Sequence, residues 1–269
     1  MICWNQDTLI MTNPVKSSKH DVAADAARLR ALHVPGKPLL LANIWDPVSA
    51  RTVESSGMPA IATASAAFAP VNGYEDHGHL PPDVAFGALR RITDAVSLPV
   101  TADLEDGYGL SPEELVERIA YAGACGLNLE DTDHKTRSLV EADQQAERIA
   151  AIKAAGRARG FDLVVNARID VHVHQGPLEE GLKRARKYFN AGADCVYPIR
   201  LSDARAIPEY VALGPTNMLC APGGTPLAEL ARAGVARVSV GPFLFQLLQK
   251  RLEVAIRAYR SFDDQALWT

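Results

Sequence analysis

The stretch LPVTADLEDGYGLSPEELVERIAYAGACGLNLED, residues 98–131, reads as one complete strand–helix–strand unit. Residues 98–105 form an apolar run ending in acids, as a buried strand does where it reaches a polar rim. A glycine-flanked turn follows at 107–109. Ser111, Pro112 and Glu114 then start a helix, with serine as the cap, proline at the first position and glutamate three residues on. That helix runs to residue 123 and yields to a second strand, 126–131, which also ends in acids. Two strands joined through a helix in this way run parallel.

The same alternation extends in both directions. Further strands are expected at 39–45, 60–64, 163–170, 195–199, 217–221 and 237–241. Further helices are expected at 47–56, 83–96, 141–159, 178–191, 203–212, 226–233 and 242–260, making eight βα units in all. Several helices close on Ser-Gly or Ala-Gly pairs, at 56–57, 191–192 and 233–234, where a left-handed C-cap is needed. The strands are apolar without alternation, as a parallel sheet covered on both faces requires. The expected fold is therefore α/β, a (β/α)8 TIM-type barrel. An open doubly wound sheet is the alternative, but no GxGxxG follows the first strand. An extra N-terminal helix over 21–32 would plug the amino end of the barrel. Residues 1–17 read as a flexible tail, and 18–269 as a single barrel domain.

Composition narrows the function classes. A net charge of −4 with no basic block argues against nucleic acid as a partner. No apolar run nears the roughly 20 residues of a membrane span, and no secretory signal opens the chain. Cys3, Cys125, Cys195 and Cys220 are far apart and read as buried thiols of a reducing compartment. A cytoplasmic protein is expected.

In such a barrel the chemistry sits at the carboxyl ends of the strands. Those ends carry Trp45-Asp46, residues 63–66, Asp103 and Glu105, Glu130-Asp131, Arg168 and Asp170, and Arg200. Carboxylates two apart on a strand share a face, so Asp103 and Glu105 would converge, with Glu130, on a hard cation such as Mg²⁺ or Mn²⁺. Arg168 would fork a substrate carboxylate, or else pair structurally with Glu130 or Asp170. Two loops are long. The loop at 66–83 carries Asp76, which could fold back over the rim, and His77 and His79, too few soft ligands for zinc. The loop at 131–143 carries His134, Lys135, Arg137 and Ser138, and reads as an active-site lid or as a merely solvated loop.

Seven motifs carry a resemblance: NIWDPVSAR (43–51), ATASAAFA (62–69), GYEDHG (73–78), ADLEDGYG (102–109), LNLEDT (127–132), KTRSL (135–139) and NARID (166–170). Over residues 20–260 the chain resembles the isocitrate lyase/phosphoenolpyruvate mutase superfamily. The resemblance implies a Mg²⁺-dependent barrel that makes or breaks C–C or P–C bonds beside a 2-oxo or 2-hydroxy carboxylate. It implies Asp103 as the acid closest to the metal, with Glu105 and Glu130 acting directly or through water and Asp76 approaching metal-bound water. Amides around Ser65 and Ala66 would hold the oxo-acid oxygens, Arg168 its carboxylate, and Lys135 the departing group. It also implies a homo-oligomer, a dimer-based tetramer in which the last helix, here within 242–262, is swapped between subunits.

Departures from the family pattern steer the expected reaction. The lid has no cysteine, Pro198-Ile199 stands where the lyases have Pro-Glu, Arg137 replaces the asparagine of K-T-N-S-L, and Glu105 replaces an aspartate. The chain thus resembles the phosphonomutase/oxaloacetate decarboxylase-like branch. The expected activity is cleavage of a C–C bond in a small 2-oxo or 2-hydroxy (di)carboxylate through an enolate. Arg137 and Ser138 on the lid would meet an added anionic group, with His134 or Lys135 as proton donors. The alternatives are a P–C enzyme (phosphonopyruvate hydrolase or phosphoenolpyruvate mutase-like), a non-catalytic 2-oxo acid binding protein, and a Schiff-base aldolase using Lys135.

Overall fold

Each apolar run condenses into a short strand because its backbone groups find ladder partners only in the neighbouring runs. The computed structural model describes residues 19–268, so the tail expected at 1–17 lies outside the described residues. In chain order the strands are β1 (Leu39–Leu41), β2 (Asn43–Ile44), β3 (Ile61–Thr63), β4 (Val100–Asp103), β5 (Gly126–Leu129), β6 (Thr132–Asp133), β7 (Ser138–Leu139), β8 (Val164–Ile169), β9 (Cys195–Pro198), β10 (Asn217–Leu219) and β11 (Arg237–Ser239). One parallel sheet runs β2-β3-β4-β5-β8-β9, a second runs β1-β11-β10, and β6 and β7 form a small antiparallel ladder.

The expected strand over 39–45 breaks at Ala42, and its halves pair differently: β1 with β11, β2 with β3. At the other end Val196 N–H donates to Pro215 O at 3.0 Å, and Val196 bridges to Thr216. The two sheets are thus joined at both ends. Between them Arg237, on β11, donates to Asn128 Oδ1, on β5, at 3.0 Å, so their inner faces meet.

The helices are α1 (Val22–Ala31), α2 (Pro47–Ser55), α3 (Ser65–Val71), α4 (Pro82–Thr93), α5 (Pro112–Ala122), α6 (Ala142–Ala158), α7 (Leu178–Asn190), α8 (Ile207–Val211), α9 (Leu227–Arg232), α10 (Phe243–Arg260) and α11 (Asp264–Trp268). Ser111 caps α5 by accepting from Glu114 N at 3.2 Å, as the opening motif requires. The amino ends of the strands are closed by α1, whose Ala26 and Leu29 pack with Leu39, Leu41, Ala62, Cys125 and Val164. Gly126 makes room for this lid, since a Cβ there would lie 2.9 Å from Leu29 Cδ2.

Three segments differ from expectation. The 66–83 loop begins as α3, and the 131–143 loop folds on itself as the β6–β7 ladder. The helix expected at 203–212 divides into a 3₁₀ turn, Ala204–Ala206, and α8, because Pro208 brings no N–H to a continuous helix. Among the described residues no helix is long and apolar enough to cross a membrane.

One buried network ties the sheet to the outer helices. Asp131, fully buried, accepts from Asp170 N at 2.8 Å, Arg184 Nη1 at 3.0 Å and Tyr188 Oη at 2.7 Å. Removing one partner of a buried ion pair leaves an uncompensated charge, so Asp131→Ala is expected to cost about 3–5 kcal/mol of stability. Tyr188→Phe, which loses one hydrogen bond, is expected to cost about 1 kcal/mol. Denaturant unfolding of both variants checks this; equal losses would mean that the Arg184 charge is not held by Asp131.

Candidate active site

The acids at the rim are placed by the way their strands stop. β4 ends at Asp103; Glu130 N–H still donates to Glu105 O at 2.9 Å, but Glu105 itself takes the left-handed region (φ 53). The strand expected to run through 105 is therefore shorter, and strand alternation does not set the direction of Glu105. Asp103 lines a cavity of 380 Å³ at the carboxyl ends of the strands. Its Oδ2 accepts from Ser65 N at 2.9 Å, while its own N–H donates to Thr63 Oγ1 at 2.8 Å. Glu105 turns instead toward the 73–79 loop, where Gly78 N–H donates to its Oε2. Asp76, on that loop, lines the same cavity as Asp103. Glu130 accepts from Arg168 Nη1 through Oε1, and its Oε2 lies 3.1 Å from His134 Nε2.

Each of these four acids keeps one buried oxygen without a hydrogen-bond partner: Asp76 Oδ1, Asp103 Oδ1, Glu105 Oε1 and Glu130 Oε2. Burial, then the charges of Asp76 and Asp103, push the Glu105 carboxyl up to about 8. Burial also raises Glu130 to about 7, against the pull of Arg168 and His134. For His134 burial opposes the charge, but Glu130 and Glu105 outweigh it and raise the imidazole to about 9. An excess of buried negative charge at one point is what a cation would relieve. No three acidic, histidine or cysteine side chains among the described residues converge closely enough to ligate one ion by themselves. The set thus fits a cation that takes one or two carboxylates directly and fills its shell with water and ligand oxygens, as Mg²⁺ ordinarily does.

Arg168 is held by Asp170, with Nε to Oδ1 at 2.6 Å and Nη2 to Oδ2 at 3.2 Å, as well as by Glu130. It nevertheless lines the cavity, together with Ser65 and Ala66 at the start of α3. At that first turn backbone N–H groups lack intrahelical acceptors. The β6–β7 hairpin lies over the 73–79 loop: the His134 ring is 5.6 Å from that of His77, and a Cβ on Gly78 would lie 3.1 Å from His134 Cβ. Lys135 does not line the main cavity but a separate hollow of 180 Å³, shared with Asp106, Glu130 and Asp133. Arg137 and Ser138 are exposed and line neither space.

Tyr197 and Ser239 line the cavity outside every motif, and Asn43 and Asn128 line it from inside motifs that gave them no role. The available signal was polarity inside an apolar strand. Asn43 shows what such a residue does, donating to Thr63 O at 2.6 Å and accepting from Val240 and Gly241 N–H at 2.9 Å each. It fixes three strand ends around the cavity. Six non-glycine residues in the rim loops, His77, Glu105, Tyr108, Arg137, Gln175 and Arg200, have left-handed backbones. Such strain gathers where a site needs it.

A solved structure from Burkholderia cenocepacia J2315 superposes with a TM-score of 0.81 and 40% identity, over 87% of this chain and 99% of that one. The crystal structure of 2,3-dimethylmalate lyase aligns at 27% identity and a TM-score of 0.77, over 88% of each chain. The 2-methylisocitrate lyase of Escherichia coli K12 is 28% identical over 262 residues, covering 87% of this chain and 88% of that enzyme. Residues 29–260 match the family model described as phosphoenolpyruvate phosphomutase, so this chain belongs to that family, within the isocitrate lyase/phosphoenolpyruvate mutase superfamily.

Proposed function

We propose that the chain is a Mg²⁺-dependent lyase, built on a closed (β/α)8 barrel, that cleaves a C–C bond in a small 2-oxo or 2-hydroxy dicarboxylate. The observation that carries this reading is the pair of acids lining one polar cavity, Asp76 and Asp103, each with a buried oxygen that lacks a hydrogen-bond partner, together with Glu105 and Glu130, which keep such oxygens outside the cavity lining. Asp103 would hold the cation, with Glu105, Glu130 and Asp76 binding its water. Bound there, Mg²⁺ acts as a Lewis acid toward a substrate oxygen.

The chain's own groups supply the rest. Ser65 N–H fixes the Asp103 carboxylate, leaving the Ala66 amide at the α3 terminus to face a substrate oxygen. Arg168, oriented by Glu130 and Asp170, presents its remaining N–H edge to the substrate carboxylate. When the bond beta to the 2-oxo group breaks, its electron pair passes into an enolate whose charge falls on the 2-oxo oxygen, where dipoles of this kind lower the barrier. Glu130 and His134, whose Oε2 and Nε2 lie 3.1 Å apart, would be the store of the proton delivered to the carbon. Lys135, in its separate hollow, would reach the departing group only if the hairpin moves. The P–C alternative keeps the same acids but needs a lid that grips a phosphonate. Here the lid arginine, Arg137, is exposed.

The long α10 helix supports a homo-oligomer. Leu244, Leu248, Leu252 and Ile256 follow one another at four-residue spacing, and each is more than a third exposed. A second copy of the chain would cover this stripe, as the swapped helix of a dimer-based tetramer does. Leu248→Glu with Leu252→Glu is expected to yield monomers by light scattering. Retention of the oligomer would remove α10 from the interface.

Pyruvate release from oxaloacetate, 2-methylisocitrate, 2-methylmalate and phosphonopyruvate in the presence of Mg²⁺ tests the reaction class. One carboxylic acid is expected to turn over, with Asp103→Ala losing at least about a hundredfold in kcat/KM. Turnover of phosphonopyruvate alone would establish the P–C reading instead. Binding without turnover across the panel would establish a binding protein.

The titrating acids give a second test. Between pH 4.5 and about 8 the folded chain retains a proton on Glu105 that the unfolded chain has released, and Glu130 and His134 act in the same direction. Stability of the metal-free protein therefore falls as pH rises through this window. Mg²⁺ takes the place of those protons, so it should raise Tm more at about pH 8.5 than at about pH 6. Thermal melts with and without Mg²⁺ measure this; no Mg²⁺ effect at either pH would sink the metal assignment.

A further inference from the structure

The two arginines that line the cavity differ in their partners. Arg168 is committed to Glu130 and Asp170. Arg200, which follows β9, makes no hydrogen bond or ion pair among the described residues. It is exposed, and it lines both the main cavity and the two hollows beside it, of 380 and 400 Å³. Its backbone is left-handed, with φ 59, a conformation that is costly for any residue with a side chain. The acid nearest in sequence, Asp203, is bound to Arg205 at 2.9 Å. Its neighbour Ile199 is apolar and lines the cavity too. The acids of the cavity, Asp76 and Asp103, come from the far side of the sheet, β4 and β9 being three strand positions apart. An unpaired guanidinium on an apolar wall, opposite a carboxylate cluster, is a receptor for an anion.

We propose that Arg200 is the specificity-determining residue that holds the distal carboxylate of a compact dicarboxylate whose 2-oxo end lies at Asp103, Ser65 and Ala66. This rests on the 2-oxo acid reading of the cavity. It moves recognition of the second anion from Arg137, on the lid and outside the cavity, to the end of β9. The apolar groups around Arg200, among them Ile199, Leu219 and Phe243, strengthen the contact by lowering the local dielectric.

The test is calorimetric binding of two ligands that share a 2-oxo acid head, 3,3-difluorooxaloacetate and pyruvate, to the full-length protein with Mg²⁺. The variants are Arg200→Asn, since asparagine tolerates the left-handed backbone, Arg200→Lys and Arg137→Asn. Arg200→Asn is expected to weaken the dicarboxylate about tenfold to a hundredfold and to leave pyruvate unchanged, with Arg200→Lys restoring part of the loss. If Arg137→Asn carries the loss instead, or if Arg200→Asn weakens both ligands equally, the proposal is overturned while the 2-oxo acid reading stands. If the wild-type protein binds neither ligand, that reading fails, and this proposal with it.

Discussion

Four carboxylates are brought to one rim of the fold, each with one buried oxygen that lacks a hydrogen-bond partner, and most other features of the site follow from that arrangement. Charge buried without a partner is expensive, so the protein either neutralises it by holding protons or balances it with cations. Both responses are present. Glu105 and Glu130 retain protons to unusually high pH, and Arg168 and His134 stand against Glu130. Tyr108, its buried hydroxyl also unpartnered, has its ionisation pushed upward by burial and then by Glu105, Asp103 and Asp76.

The interior beneath the rim is polar for the same reason. Asn128 accepts from Asn166 at 2.8 Å and from Arg237 at 3.0 Å, and Arg237 is wholly buried. An arginine there places positive charge below the acids, and Asp103 is among the groups that favour its ionisation. The asparagines link strands of both sheets with neutral groups, so the cluster is held in register without adding charge of its own. Packing around this polar centre is aliphatic: the core cluster that surrounds the strands is mainly Ala, Leu, Ile and Val.

Much of this was legible in the residues. Parallel strands separated by helices, the Ser111 cap of α5 and the helix before the first strand follow from apolar runs, capping residues and glycine C-caps, signals that depend on neighbours in sequence. The positions of Asp103, Glu105 and Glu130 at strand ends were legible from the apolar runs that precede them, whereas Asp76, in a polar loop, stood out through the family resemblance. What was not legible depends on partners far along the chain. The direction of Glu105 is set by a strand that ends two residues early and by Gly78, 27 residues away. Lys135 and Arg137 share a short segment with His134, and no sequence rule states that the hairpin would set His134 against Glu130, leave Lys135 in a hollow outside the main cavity and leave Arg137 exposed. The inward asparagines read in sequence as flaws in apolar strands, and only the sheet order reveals them as the joints between strand ends.

Strain and substrate choice are linked at the end of β9. A left-handed arginine holds its turn at a cost that a glycine or asparagine would lower. Arg200 takes that conformation beside Ile199, where the resemblance to the lyases leads one to expect a glutamate. Exchanging an acid for an apolar residue, with a cation next to it, reverses the charge that this wall presents to the cavity. On the proposed reading the acids at β4 and β5 would carry the bond cleavage, while β9 would select among substrates by the charge of their far end. Because the selecting residue is separated from the acids at β4 and β5 by three and two strand positions, one can change without disturbing the other. That separation is a physical route by which a single fold with a fixed set of carboxylates serves many small acids.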